Sequence, residues 1–371
     1  MQINKQLKIV LTGGHAATPA LATVEEIAKR NKNWKIYWVG PISAMESGNV
    51  ITAAERALRE YDVIIRKIVA GRALRRGKLW WRVKAYIKIP FGFIHAFFEI
   101  FKIKPDIVLS FGGFAALPVV FSAWILGRPV LIQEQIVGAG LANKLSSPFA
   151  KKIVVARSES LEFFPKNKTE LIGNPQFSKF FNVEPKEQIG NPVTIFITGG
   201  SSGSVIMNEA INRILPQLLI KYQVIHQVGD RNLDDAMSVK HNLDQNLAKN
   251  YEVLGYVTPS QFSQYFEKAD IVISRSGANT VSDIVATKRP AILIPIPWSI
   301  GDEQTKNAKK AVNARIAVIL KQEELTAENL LEKINFIENN WKKMVNNVTP
   351  GDFALDHNAA KRLVDILEEL V

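Results

Sequence analysis

Ile9-Val10-Leu11-Thr12-Gly13-Gly14-His15-Ala16 is answered in the second half of the chain by Ile195-Phe196-Ile197-Thr198-Gly199-Gly200-Ser201-Ser202. Each copy is an apolar, β-branched run, then Thr-Gly-Gly, then a helix-like stretch. Such a run reads as a buried parallel strand; the glycines allow a tight turn with close backbone approach, and the helix start presents unpaired N–H groups. That arrangement suits an anion such as a diphosphate. One Gly-Gly after a strand is ordinary strand-to-helix chemistry. Two copies at domain-scale spacing imply two nucleotide-fold halves in tandem, facing a cleft.

Working outward, apolar strands alternate with helical patterns along all 371 residues, a length that accommodates two domains. Strands are expected at Lys8–Leu11, Lys35–Val39, Val63–Val69, Ile107–Leu109, Val130–Ile132 and Ile153–Ala156. The second half restarts at Val193–Thr198 and continues with Gln223–Gln227, Tyr251–Val253, Ile271–Ser274, Ala291–Ile294 and Ala317–Leu320. The fold class is therefore α/β, two Rossmann-like domains with mainly parallel sheets. Expected boundaries are 1–175 for the first domain, a polar, patternless linker over 176–192 after the turn Gly173-Asn174-Pro175, and 193–350 for the second domain. The closing segment, 351–371, carries a helix from Asp356 to Leu370, and pattern alone leaves open whether it packs on the second domain or crosses back to the first.

The formal charge of +12 implies an acidic partner: nucleic acid, an anionic membrane surface or a phosphorylated substrate. The absence of cysteine excludes disulfides, thiolate metal sites and a Cys nucleophile. The start leads straight into a strand without a signal-peptide pattern. Ile107 to Gly127 is uncharged and long enough to span a bilayer, but Gly112-Gly113 and Pro118 break it into a strand, a glycine turn and a helix near Ala115–Leu126. An all-apolar strand–helix–strand unit is what a sheet covered on both faces requires.

The densest motif is Ser274-Arg275-Ser276-Gly277-Ala278-Asn279-Thr280-Val281-Ser282-Asp283, which follows a strand and opens a helix. Its small residues let a ligand approach the backbone, and a helix N-terminus favours phosphate. Asp283 lies one to two turns in, where a carboxylate can accept hydrogen bonds from ribose hydroxyls. Gly301 to Ala308 follows the next strand, and Gln304 there can hydrogen-bond a sugar. Both segments lie at the carboxyl ends of strands, where open α/β sheets bind ligands. Two ordinary loops, with Asp283 a solvated acid, are the plainer alternative.

Together these segments resemble the MurG family of glycosyltransferases. The resemblance is carried by Thr12-Gly13-Gly14-His15, Ser110-Phe111-Gly112-Gly113, Gln133-Glu134-Gln135, Gly138 to Lys144, Gly173-Asn174-Pro175, Gly199-Gly200-Ser201 with Gly203, Arg275 to Asp283, and Asp302 to Ala308. It implies the GT-B fold and transfer of N-acetylglucosamine from UDP-GlcNAc to an undecaprenyl-diphosphate-linked muramyl-pentapeptide, lipid I to lipid II of peptidoglycan synthesis. Carried over, Ser201 meets the diphosphate, Val257 the uracil region, Ala278 to Ser282 the phosphates, Asp283 the ribose and Gln304 the sugar. Thr12, Gly13 and Gly14 face the cleft from the other side. The chain departs from the family pattern at Ile136, where Asn is usual, at Gln176 and Phe177, where an Arg is usual, and at Asp283, where Glu is usual. These departures keep open a related glycolipid synthase with another UDP-sugar or lipid acceptor, and a catalytically inactive membrane-anchored binding subunit.

Transfer needs a base for the acceptor hydroxyl and stabilisation of the departing UDP. His15, after the first glycine turn, is the expected base, and Glu134 the alternative. No metal-ligand spacing occurs, so neither metal nor cofactor is expected, and helix dipoles and backbone N–H groups take the metal's part. A last feature is the acid-free run of Arg72, Arg75, Arg76, Lys78, Arg82, Lys84 and Lys88, interleaved with Trp80, Trp81 and Tyr86 and followed by Phe91 and Phe93. Basic residues beside Trp and Phe suit an anionic membrane interface better than a nucleic acid. The expected setting is peripheral, on the cytoplasmic face of the plasma membrane.

Overall fold

The computed structural model describes residues 6–14, 17–41, 57–70, 79–200 and 203–371. The chain forms two compact units, Met1–Phe177 with Leu355–Val371, and Ser178–Ala354. His15, Ser201, Arg72, Arg75, Arg76 and Lys78 lie outside the described residues, as do the side chains of Trp80, Trp81, Arg82, Lys84, Tyr86 and Lys88.

The first unit is built on β1 (Lys8–Thr12), β2 (Lys35–Pro41), β3 (Ile64–Ile68), β4 (Ile107–Ser110), β5 (Val130–Glu134), β6 (Lys152–Val155) and β7 (Thr169–Leu171). They pair in the order β3-β2-β1-β4-β5-β6-β7, every pair parallel. Ile9, Val10 and Leu11 of β1 and Ile107, Val108 and Leu109 of β4 are fully buried, as a sheet covered on both faces demands. The uncharged 107–127 stretch is β4, a glycine turn and the helix Ala116–Ile125. The helix Leu79–Ile103 buries Ala96, Ile100 and Ile103, spaced along one face, and turns Phe91, Ile94, Phe98 and Phe101 to the outside. Among the described residues no helix is long and apolar enough to cross a membrane.

The second unit repeats the plan with β8 (Val193–Thr198), β9 (Tyr222–Gln227), β10 (Tyr251–Leu254), β11 (Ile271–Ser274), β12 (Ala291–Leu293) and β13 (Ala317–Ile319). Their order is β10-β9-β8-β11-β12-β13, again parallel throughout. Beneath the sheet, helix Ala327–Asn346 buries Leu330, Ile334, Ile337, Trp341 and Val345 on one face. This 20-residue helix is an element that the strand-centred sequence reading does not place.

The segment 176–192, expected as a linker from its polarity, is tied down by partners distant in the chain. Residues from Ser178 onward belong to the second unit. Phe180 is buried against Phe266. Asp270, fully buried, accepts hydrogen bonds from Lys186 Nζ (2.7 Å) and from the N–H groups of Gly190 (3.1 Å) and Thr194 (2.8 Å). Arg289 donates to the carbonyls of Glu184, Phe266, Thr287 and Glu267. The partners lie far off in sequence, so local pattern does not reveal them.

The closing helix, Asp356–Leu370, packs on Ala17–Lys29 in the first unit. Asp356 meets Arg157 in a bidentate pair of 2.7 and 2.8 Å, and it also accepts the Asn174 N–H at 2.7 Å. Gly173 has φ +90° and a Cβ there would stand 2.6 Å from the Leu355 carbonyl carbon, so the turn admits only glycine.

Candidate nucleotide-sugar site

In an open parallel sheet the ligand crevice forms where the strand order reverses, beyond the carboxyl ends of the strands. The reversals fall between β1 and β4 in the first unit and between β8 and β11 in the second. All the loops singled out by the two Thr-Gly-Gly phrases and by the 274–283 motif leave strands at these points.

In the first unit the two glycine turns lie back to back. The Gly14 N–H donates to the Gly112 carbonyl at 2.9 Å, and the Phe111 N–H to the Thr12 carbonyl at 2.8 Å. Thr12 Oγ1 donates to the Val39 carbonyl at 2.8 Å, so its hydroxyl braces the turn. Glu134, 2% exposed, closes β5. Its Oε1 accepts the Ile136 N–H (3.2 Å), and its Oε2 accepts the Gly140 N–H (2.8 Å) and Asn143 Nδ2 (3.0 Å). Burial raises the Glu134 pKa above the usual carboxylate value, opposed by these hydrogen bonds. This geometry makes Glu134 the peg of the 135–140 loop and of the helix start at Leu141. Asn143, which also reaches the Gln133 carbonyl, is the polar partner that spacing alone did not single out.

In the second unit Thr198 Oγ1 donates to Gln227 Oε1 (2.6 Å) and accepts the Gly200 N–H (3.1 Å). The loop runs through Gly203 into helix Val205–Lys221, whose N-cap Ser204 makes no side-chain cap. On the adjoining strand β11 the helix Ala278–Thr287 starts from Gly277, again with no side-chain cap and with open space where a Cβ would stand. Two neighbouring helix N-termini thus meet here, neither capped by the side chain of its own N-cap residue.

Arg275 joins them. Its Nη2 donates to Ser204 Oγ (2.9 Å) and Gln322 Oε1 (2.8 Å), and its Nη1 to the Ile294 carbonyl (3.1 Å). It is 7% exposed, and burial lowers its pKa. Every one of these acceptors is neutral, so the site carries a desolvated positive charge together with two positive helix ends. Such a place attracts an anion.

Around it, Ala278, Asn279 and Thr280 are half-buried at the helix opening, whereas Val281 and Ser282 are 1% exposed and turn into the fold. Asp283 is 4% exposed in the second turn. Ser276 is fully buried, and its carbonyl accepts from Asn307 Nδ2 at 3.1 Å, tying the next helix, Glu303–Asn313, to this loop. Gln304 Oε1 accepts the Ile296 N–H at 3.0 Å and so fixes the loop before it. Val257 is half-buried in the turn after β10. Asn307, through its bond to Ser276, is a neighbour of this site to which the motifs assign no role.

Away from the reversal, the first unit exposes Phe91, Ile94, Phe98, Phe101, Trp124 and Ile125 on two helices packed side by side. Phe93 is half-buried, its ring 5.5 Å from Phe121. The i, i+3, i+7, i+10 spacing from Phe91 to Phe101 was the available sequence signal for this face.

Two family models and several relatives match the chain. The glycosyltransferase family 28 N-terminal domain matches residues 10–155, and the family 28 C-terminal domain residues 194–362. A UDP-N-acetylglucosamine–N-acetylmuramyl-(pentapeptide) pyrophosphoryl-undecaprenol N-acetylglucosamine transferase of Clostridium perfringens is 30% identical, covering 98% of this chain and 99% of its own. A Clostridium botulinum protein of the same name is 31% identical with the same coverage. The crystal structure of Acinetobacter baumannii MurG superposes with a TM-score of 0.70 at 25% identity, covering 98% of this chain and 99% of its own. With likeness running through both halves and nearly the full length, the chain belongs to the MurG family of family 28 glycosyltransferases and has its GT-B fold.

Proposed function

We propose that the chain transfers N-acetylglucosamine from UDP-GlcNAc to the undecaprenyl-diphosphate-linked N-acetylmuramyl-pentapeptide, the reaction named for its relatives. The observation that carries the donor half is Arg275, buried among neutral acceptors beside two helix N-termini whose N-cap side chains make no cap. The acceptor hydroxyl attacks the anomeric carbon from the face opposite the diphosphate, the bond to the β-phosphate oxygen breaks, and the configuration inverts. Charge developing on the departing UDP is met by Arg275 and the first-turn N–H groups, which stand in place before the reaction and need no reorganisation. His15 takes the hydroxyl proton, Asp283 the ribose hydroxyls and Gln304 the sugar. Glu134 serves this scheme by holding its loop, since both its oxygens accept hydrogen bonds.

A second UDP-sugar is carried into the test because the chain departs from the family pattern at Ile136, Gln176 and Phe177. Phe177, at a position where the family usually has Arg, is 1% exposed and packs inside the first unit, so it offers a diphosphate no charge. Release of UDP from a panel of nucleotide sugars decides between the donors. With a lipid I analogue, UDP-GlcNAc is expected to turn over at least about a hundredfold faster than UDP-glucose, the scale set by leaving a pocket's polar groups unpaired. Efficient use of UDP-glucose or UDP-galactose with UDP-GlcNAc inert overturns the assignment.

The membrane-bound acceptor and the exposed apolar face support a peripheral position on the cytoplasmic leaflet, with the basic run that precedes this face in sequence meeting anionic headgroups. Phe98→Ser with Phe101→Ser returns two exposed rings to a polar surface. At about 1.5–3 kcal/mol for burying each ring in the interface, flotation with anionic vesicles is expected to fall at least tenfold. UDP binding, which belongs to the other unit, is expected to stay as it was. Unchanged flotation removes this face from the membrane contact.

A further inference from the structure

We infer that His226-Gln227-Val228, the last two residues of β9 and the one after them, is the platform that shapes the glycine loop after β8, and that His226 is a positioning residue for that loop without touching ligand. The inference rests on the donor reading only for what the loop holds.

Three links run from this tripeptide into the loop. Gln227 accepts from Thr198 Oγ1 at 2.6 Å, and Thr198 in turn accepts the Gly200 N–H at 3.1 Å. Gln227 Nε2 is itself fixed on the Gly255 carbonyl at 3.2 Å. The Val228 carbonyl accepts from Asn208 Nδ2 (3.2 Å) and Asn232 Nδ2 (2.9 Å). Gly203, with φ +72°, lies so close to that carbonyl that a Cβ there would overlap it. Gly203 is therefore pressed onto Val228, and Asn208 pins the first turn of the following helix to the same oxygen.

His226 decides which way Asn208 faces. Its Nε2 stands 3.2 Å from Asn208 Oδ1, and its Nδ1 stands 3.0 Å from the Tyr251 hydroxyl. Because Asn208 Nδ2 already donates to Val228, Oδ1 must accept, so Nε2 carries the proton and Nδ1 accepts from Tyr251. The ring is fully buried, and burial lowers its pKa to about 3, so this neutral tautomer persists at working pH. Asn208 lies on the same helix as Ser204, whose hydroxyl receives Arg275. An Asn208 that flips its amide loses both the Val228 carbonyl and this alignment.

The test compares full-length His226→Phe, His226→Gln and Asn208→Ser with Trp341→Phe, which removes a buried hydrogen bond to the Asp270 carbonyl elsewhere in the same unit. Hydrogen exchange over residues 199–204 and calorimetric UDP binding are both read. His226→Phe and Asn208→Ser are expected to speed exchange in the loop and to weaken UDP about tenfold, the scale of one lost buried hydrogen bond. His226→Gln, whose amide can donate to Asn208, is expected within about threefold of the parent. Trp341→Phe is expected to lower the melting temperature with loop exchange and UDP affinity unchanged. Nitrogen chemical shifts of His226 are expected to show the Nε2–H tautomer. Unaltered loop exchange in both His226→Phe and Asn208→Ser overturns the inference, as does an equal effect of Trp341→Phe. Faster loop exchange in a protein whose parent form does not bind UDP upholds the platform and overturns the donor reading instead.

Discussion

Arg275→Met is expected to weaken UDP binding by about two orders of magnitude while changing the stability of the second unit by no more than about 1 kcal/mol. The two effects separate because the guanidinium plays opposite parts in the empty and filled site. In the empty site it is a buried cation held by the Ile294 carbonyl, Ser204 and Gln322, all neutral. Removing it relieves a desolvated charge but forfeits three hydrogen bonds, terms of similar size and opposite sign. In the filled site of the proposed donor complex the diphosphate is its counter-charge, and deleting one partner of a close, desolvated charge pair costs about 2–5 kcal/mol. Arg275→Lys keeps the charge but not the fork that spans Ser204 and Ile294, so an intermediate affinity is expected. Calorimetric titration with UDP beside thermal unfolding reads both quantities. Parent-like affinity in Arg275→Met removes this residue from the donor site. A collapse in stability that accounts for the lost binding makes it a structural residue only.

The strands of both units were legible because parallel strands buried on two faces must be apolar along their length, and Ile9–Leu11 and Ile195–Ile197 show this directly. The restart at Val193 likewise follows from a pattern that any buried strand obeys. Helix Ala327–Asn346 was readable in principle from its Leu330, Ile334, Ile337, Trp341 spacing, but its Glu, Lys and Asn content drew attention to the solvated face. The 176–192 segment was opaque for a different reason. What orders it is Asp270 and Arg289, 80 to 105 residues further on, and no local period reports such partners.

The candidate site divides in the same way. Residue types and order placed Arg275 to Asp283 after a strand and at a helix start, and the structure sets them at the sheet's reversal. The sequence did not show that Arg275 has only neutral neighbours, that Val281 and Ser282 face inward, or that Glu134 spends both oxygens on its own loop. Those are facts of burial and of hydrogen-bond partners distant in the chain. His15 and Ser201 lie outside the described residues, so their roles rest on the family resemblance and on the glycine turns that precede them.

Asp356→Ala is expected to destabilise the first unit by about 3–5 kcal/mol, the cost of leaving one partner of a buried ion pair uncompensated. Asp356 and Arg157 are 1% and 3% exposed and meet through both oxygens and both terminal nitrogens. The same carboxylate accepts the Asn174 N–H, close to where the chain leaves the first unit, and opens the helix by which it returns. Arg157 Nη1 also donates to the Ala156 carbonyl, which keeps the guanidinium in place when Asp356 is gone. The charge therefore stays buried, and the penalty is not escaped by rotation. Arg157→Met combined with Asp356→Leu removes both charges and is expected to recover most of the loss, because the pair's attraction largely offsets its own desolvation. Calorimetry on the full chain can assign the effect, since UDP raises the transition of the unit that binds it. The transition insensitive to UDP is expected to fall by on the order of 10 °C in Asp356→Ala, with the UDP-sensitive one unmoved. If the double variant is no better than Asp356→Ala, the loss comes from the Asn174 contact and the helix start, and the ion pair itself contributes little.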